Sequence, residues 1–145
     1  MICPDINLLL YTINEAFPQH NQAKTWWEGI LSSVQPVGLL HVVMLGFIRL
    51  ATNRRVFPNP LTMEQAIRVV DQWLAQPNVR LVPPSDSHWE VLKTMLERGN
   101  ISTNLTTDAH IAANASEYGM VVYTNDTDFA RFTGIRFVNP LLPIS

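Results

Sequence analysis

Residues 104–132 read NLTTDAHIAANASEYGMVVYTNDTDFARF, and this stretch decides the fold class. Leu105, Ile111, Ala112, Ala115 and Tyr118 recur at helical spacing, with Asp108 in the first turn. Gly119 closes the helix, since glycine tolerates the positive φ such ends adopt. Met120-Val121-Val122-Tyr123 is a short apolar, β-branched run of the kind that fills a buried strand. The polar loop Thr124-Asn125-Asp126-Thr127-Asp128 follows, before an aromatic segment from Phe129 to Phe132. A helix leading into a buried strand is half of a parallel-sheet repeat. Asp126 and Asp128 then lie at the carboxyl end of a strand, where open α/β sheets place their ligands.

The same alternation continues outward in both directions. Ile2 to Pro4 reads as the first strand, with Asp5 at its end and a helix from Leu8 to Ala16 capped by Asp5 or Asn7. Pro18 restarts the chain before a helix over His20 to Leu31. Pro36 to Leu40 is a second strand, His41 to Thr52 a helix with Gly46 in its middle, and Asn53 to Pro60 a loop. Thr62 with Gln65 forms a capping-box pattern for a helix reaching Gln76. Val79 to Val82 is a third strand, stopped by Pro83-Pro84. Ser85 or Asp86 caps a helix through Arg98, closed by Gly99-Asn100. Beyond the central stretch, Arg136 to Val138 is a last edge strand before a proline-rich tail. Alternating strands and helices imply an α/β domain over residues 1–145, with a mainly parallel sheet and right-handed crossovers.

Composition narrows the function. An apolar content of 47% with 15% charged residues is ordinary for a globular chain of 145 residues and excludes a disordered one. No apolar run approaches the roughly 20 residues needed to span a bilayer. The opening Met1-Ile2-Cys3-Pro4-Asp5 has no basic region and carries an early acid, unlike a secretory signal. Cys3 has no partner for an internal disulfide, which suits a reducing cytoplasm, and reads as a small core residue. A net charge of −2 provides no global attraction to nucleic acid, so any such binding needs a local basic patch or metal ions.

The chemistry lies in acids far apart in sequence. In a parallel sheet, the strand-end residues Asp5 and Asp126 share one edge, and Asp108 starts the helix whose first turn returns to it. Carboxylates converging there repel one another unless a cation joins them. An all-oxygen site suits Mg²⁺ or Mn²⁺, which binds a phosphate oxygen and lowers the pKa of a bound water. Such a site hydrolyses a phosphodiester without a protein nucleophile.

Taken together, the opening PDIN around Asp5, FIRLATN from Phe47, TTDAHIAA around Asp108 and TNDTDFARF around Asp126 resemble the PIN-domain ribonucleases, in particular the VapC-type toxins. The resemblance covers essentially the whole chain. It implies a small α/β/α sandwich and Mg²⁺- or Mn²⁺-dependent cleavage of single-stranded or loop RNA in the cytoplasm, leaving a 5′-phosphate and a 3′-hydroxyl. Asp5, Asp108 and Asp126 would be catalytic, and the same three with Asp128 would hold the metal. A homodimer and a cognate antitoxin covering the active site are also implied. One departure stands out: members commonly carry a glutamate immediately before the Phe-x-Arg segment, and here that residue is Gly46. A PIN-like module that binds RNA or an antitoxin but has lost cleavage is therefore the alternative function.

Each acid also has an ordinary structural use. Asp5 can cap a helix, Asp108 can complement a helix dipole, and Asp126 and Asp128 can make Asx-turns. A receiver- or phosphatase-like domain also puts acids at strand ends, but the chain lacks a phosphorylatable Asp with a suitably placed Lys. His20, His41, His88 and His110 show no metal-ligand spacing. Arg49 is expected to pair with the acids near Gly46, the competing role being contact with RNA phosphate; Arg54, Arg55 and Arg131 read as ordinary surface or loop cations that also lie within reach of RNA. Trp26 and Trp27 cannot both face the core, which leaves one for a partner contact or, less readily, a stacked base.

Overall fold

Strand β1 (Ile2–Pro4) is only three residues long, yet it lies at the middle of the sheet and is buried throughout. Its parallel neighbours are β2 (Val37–Leu40) and β4 (Val121–Tyr123); β3 (Val79–Val82) and β5 (Arg136–Val138) close the two edges. The computed structural model describes residues 1–98 and 101–141. The strand order is β3-β2-β1-β4-β5 and every pairing is parallel. Burial follows this order. β2 is buried at all four positions, as a strand covered on both faces must be, whereas β5 is exposed at all three.

Among the described residues six helices complete the α/β/α sandwich: α1 (Ile6–Ile13), α2 (His20–Leu31), α3 (His41–Ala51), α4 (Met63–Leu74), α5 (His88–Arg98) and α6 (Thr106–Tyr118). The core gathers Leu9, Leu39, Val43, Phe47, Ile111 and Val122, all fully buried. An aromatic group extends it on the α2–α4 side, where Trp73 meets Phe47 at 4.8 Å and Trp27 at 5.8 Å. The Thr62–Gln65 capping box opens α4 as its spacing implies. Gly119 closes α6 with φ +64°, a backbone geometry that disfavours any Cβ.

Several boundaries differ from the pattern-based reading. Helix α1 stops at Ile13 rather than Ala16, because Asn14 turns extended and its Oδ1 accepts from the Ala16 N–H at 2.8 Å. That Asx-turn competes with another helical turn. Helix α5 begins at His88 rather than beside Ser85 or Asp86; Ser85 is held instead by Glu117, whose Oε1 accepts its backbone N–H at 2.9 Å and its hydroxyl as well. Tyr118 is not part of the buried face of α6. It is 42% exposed, and its hydroxyl donates to the Pro83 carbonyl at 2.6 Å. The expected stop at 99–100 and the tail from 142 onward lie outside the described residues.

Strand order also creates a crevice. From β1 the chain builds β2 and β3 to one side, then crosses to place β4 on the other. The β1/β4 junction is thus a topological switch point, where two crossovers leave in opposite directions and open a gap beyond the strand ends.

Candidate active site

Register sets the site. Cys3 faces Val122 and Pro4 faces Tyr123 across the β1/β4 pair, so the next residues, Asp5 and Thr124, emerge side by side at the switch point. The Asp5 N–H donates to the Tyr123 carbonyl at 2.8 Å, carrying the pairing one step past the strands. Asp5 is only 5% exposed and caps α1, its Oδ1 accepting from the Ile6 N–H at 2.7 Å. Its Oδ2 accepts from the Thr124 hydroxyl, also at 2.7 Å. Burial raises its pKa above the usual carboxylate range; the hydrogen bonds from Thr124 and Ile6 oppose that rise, and the charge of Asp126 adds to it.

Thr124 was not singled out by sequence reasoning. It is 1% exposed, and its Oγ1 also accepts from the Asp126 N–H at 2.9 Å, so one buried hydroxyl joins Asp5 to the acidic loop. Asp126 in turn accepts from the Asp128 N–H at 2.9 Å and starts the 3-10 turn Thr127–Arg131. Fully buried Phe129 and nearly buried Phe132 anchor that turn, with ring centroids 5.9 Å apart. On the other side, Asn125 donates to the Tyr11 hydroxyl at 3.3 Å and accepts from Asn139 at 2.8 Å. A loop that composition alone would leave mobile is therefore pinned at both ends.

Asp108 enters from the first turn of α6, behind the 3-10 turn Thr103–Leu105. One carboxylate oxygen each from Asp108, Asp126 and Asp128 lies within 4.8 Å of the others. Asp5 is outside that trio but near enough for its charge to act on Asp108. The Asp108 pKa is pushed up to about 7, first by burial and then by Asp5, Asp126 and Asp128. An acid that gives up its proton so reluctantly marks a place where negative charge exceeds what the protein itself neutralises. Arg131 is the one nearby cation among the described ion pairs, 3.8 Å from Asp128. An all-carboxylate set with one acid half-protonated fits a hard divalent cation.

Gly46 on α3 faces the start of α1. A Cβ built there would run into Ile6 Cδ1, with Ile6 Cγ1 at 3.1 Å. The volume a side chain would take at this position is filled by the residue that follows Asp5. Arg49 does not pair as expected: no carboxylate among the described residues lies within ion-pair distance of it. Trp27 is the buried member of its pair, and Trp26 is half-buried, stacked on Tyr123 at 5.7 Å with the rings 14° apart.

A second polar group, also missed, ties α5 to α6. Glu117 Oε2 lies 2.6 Å from His88 Nδ1, and His88 Nε2 lies 2.7 Å from His110 Nδ1. Burial tends to raise the Glu117 pKa, but hydrogen bonds from Ser85 and His88 outweigh it and hold the carboxylate low. Burial and then the charge of His88 depress His110. The seven-residue spacing of His110 and Glu117 on one helix face was the only trace of this network in the sequence.

A family model described as the PIN domain matches residues 2–135 of the chain. Ribonuclease VapC33 of Mycobacterium tuberculosis is 40% identical over 141 residues, covering 97% of this chain and 99% of the relative. Ribonuclease VapC37 of the same organism is 41% identical over 136 residues, 94% of each chain. Among solved structures, a chain of FitAB bound to the IR36 DNA fragment has a TM-score of 0.71 at 18% identity, covering 100% of this chain and 99% of that one. Mycobacterium tuberculosis VapC20, a sarcin-ricin-loop-cleaving toxin, has a TM-score of 0.69 at 21% identity, covering 94% and 99%. Those two likenesses concern the fold.

Proposed function

The chain belongs to the PIN-domain family, in its VapC ribonuclease branch, and on that premise we propose that it is a metal-dependent endoribonuclease toxin acting on single-stranded or loop RNA. The observation that carries the reading is the convergence of Asp108, Asp126 and Asp128 within 4.8 Å at the β1/β4 switch point. Asp5, Asp108 and Asp126 would be its catalytic residues, and with Asp128 they would hold Mg²⁺ or Mn²⁺. When bound, such an ion draws charge from a phosphate oxygen and acidifies water at the site. Both Asp5 oxygens already accept a hydrogen bond, yet each keeps a free lone pair, so Asp5 serves as a ligand while its orientation stays fixed. Thr124 keeps Asp5 and the Asp126 backbone in register. Asp108 would have to be deprotonated to hold the ion.

Residues 1–145 act as one PIN-like domain in this reading. The partners are the RNA substrate, a cognate antitoxin and a second copy of the chain, and the place of action is the cytoplasm. The FitAB assembly among the structural neighbours supports the antitoxin. No described helix is long and apolar enough to cross a membrane.

One observation favours a second reading, a binding module without cleavage: Ile6 fills the space beside Gly46, where relatives with a glutamate have another acid. Purified protein incubated with RNA in Mg²⁺, Mn²⁺ or EDTA, beside Asp108→Asn, separates the two. Metal-dependent cleavage lost by about 100-fold or more in Asp108→Asn supports the nuclease, since even the groups that only support a metal ligand cost about 10–100-fold when removed. RNA binding without cleavage in any metal overturns it in favour of the module.

A further inference from the structure

Arg49 is the cation for which the acidic site has no use. It sits in the last turn of α3, one turn beyond Gly46 and on the same face, and it is exposed. Its simplest role is to complement the helix dipole, which asks nothing of its surroundings. The surroundings are specific, however. Arg49 lines a cleft of about 200 Å³ together with Ile6, Val42, Leu45, Gly46 and Thr107. Ile6 follows Asp5 and Thr107 precedes Asp108, so the cleft adjoins two of the acid-bearing segments. Its walls mix polar and apolar surface, Arg49 and Thr107 beside Ile6, Val42 and Leu45, and Leu45 remains 67% exposed although other residues of its helix are buried. The backbone of Gly46 forms part of the lining because Ile6 folds against it.

Apolar side chains at Leu45 and Ile6, one hydroxyl, and one guanidinium without a carboxylate partner among the described residues suit a nucleotide: base or ribose against Leu45 and Ile6, phosphate on Arg49. Resting on the nuclease reading, we propose that this cleft is a subsite for the RNA nucleotide next to the cleaved bond, and that Arg49 binds its phosphate. Arg49 then acts as a positioning residue. It also supplies positive charge where a chain of net charge −2 with an acidic centre would otherwise repel the polyanion.

The test uses salt dependence, which a merely structural role does not move. Binding of a labelled mixed-sequence single-stranded RNA of about 20 nucleotides is followed by anisotropy in an Asp108→Asn background, which keeps the RNA intact. One lost phosphate contact lowers the slope of log K against log salt by about 0.7 for single-stranded nucleic acid. Arg49→Gln is expected to show that loss, Arg49→Lys to keep most of the slope, and Leu45→Ala to weaken binding with the slope unchanged. Thermal melts establish that each variant is folded. An unchanged slope in folded Arg49→Gln overturns the subsite, and leaves the cation for a carboxylate of a protein partner. Cleavage by the unaltered protein is scored separately, so loss of the subsite alone is distinguishable from loss of the nuclease reading.

Discussion

At neutral pH the Asp108 carboxyl, with its pKa pushed up to about 7, is divided between its two protonation states. An unfolded aspartate titrates near ~3.9. Between about pH 4 and pH 7 the folded protein therefore keeps a proton that the unfolded chain has lost, and folding stability falls as pH rises through that window. Above it the penalty is constant. In EDTA, the melting temperature of the unaltered protein relative to that of Asp108→Asn should decline from about pH 4 to pH 7, which cancels the groups the two share; a difference that does not change with pH would mean that Asp108 does not titrate there. Metal affinity runs the other way, weakening up to about tenfold per pH unit below about 7 as the proton competes. Thr124 acts at the same scale. Replacing it with valine leaves a buried Asp5 oxygen and the Asp126 N–H without their partner, at a cost of about 1–3 kcal/mol by urea denaturation. The acids were legible in the sequence because their chemistry is conspicuous. Thr124 was not, since a threonine after a strand is common and only the β1/β4 register reveals what its hydroxyl touches.

Among the elements, α1 and α3 meet where Ile6 lies against Gly46. Gly46→Glu therefore does more than add a carboxylate: it must first move Ile6, the residue whose N–H is capped by Asp5. The atom it meets is the free end of a side chain that can turn aside, so the net cost is expected to stay within about 1 kcal/mol, the crowding being offset by the gain over glycine inside a helix. Ile6→Ala should relieve part of that cost in the double variant, which a double-mutant cycle in urea would measure. Additive effects would mean that the two side chains do not compete for space. Elements were well read from the sequence wherever a long period or a strong stop existed: α2 and β3 fall where their apolar spacing and flanking prolines put them. Short-range polar competition explains the misses. Asn14 ends α1 early, and Ser85 is drawn to Glu117 thirty-two residues away, a contact that no local pattern encodes. Arg49 was expected to pair because acids lay nearby in the fold, but α3 presents it to a cleft that the carboxylates do not enter.

For the molecule as a whole, a cation that binds only the folded chain should raise stability by mass action, about 2.7 kcal/mol at a free concentration roughly one hundred times its dissociation constant. Melting curves in Mg²⁺ and Mn²⁺ should shift upward in the unaltered protein and stay in place in Asp108→Asn; a similar shift in both would put the ion elsewhere. The parallel layout was legible from the strand–helix alternation, whereas the strand order, which creates the crevice, was not, because alternation does not say on which side each new strand is laid. That order has a consequence during synthesis. The first strand made is the central one, and one of its two neighbours is made only after the third crossover, when Val121–Tyr123 has left the ribosome. Asp5 is translated well before its partner and waits for Thr124, with most of the described chain between them. At roughly 5–20 residues per second, about 6–24 seconds separate the synthesis of the two residues, and through them the nascent chain has no complete acidic centre. A protein proposed to cut RNA thus has no acidic centre until most of its sheet has been made.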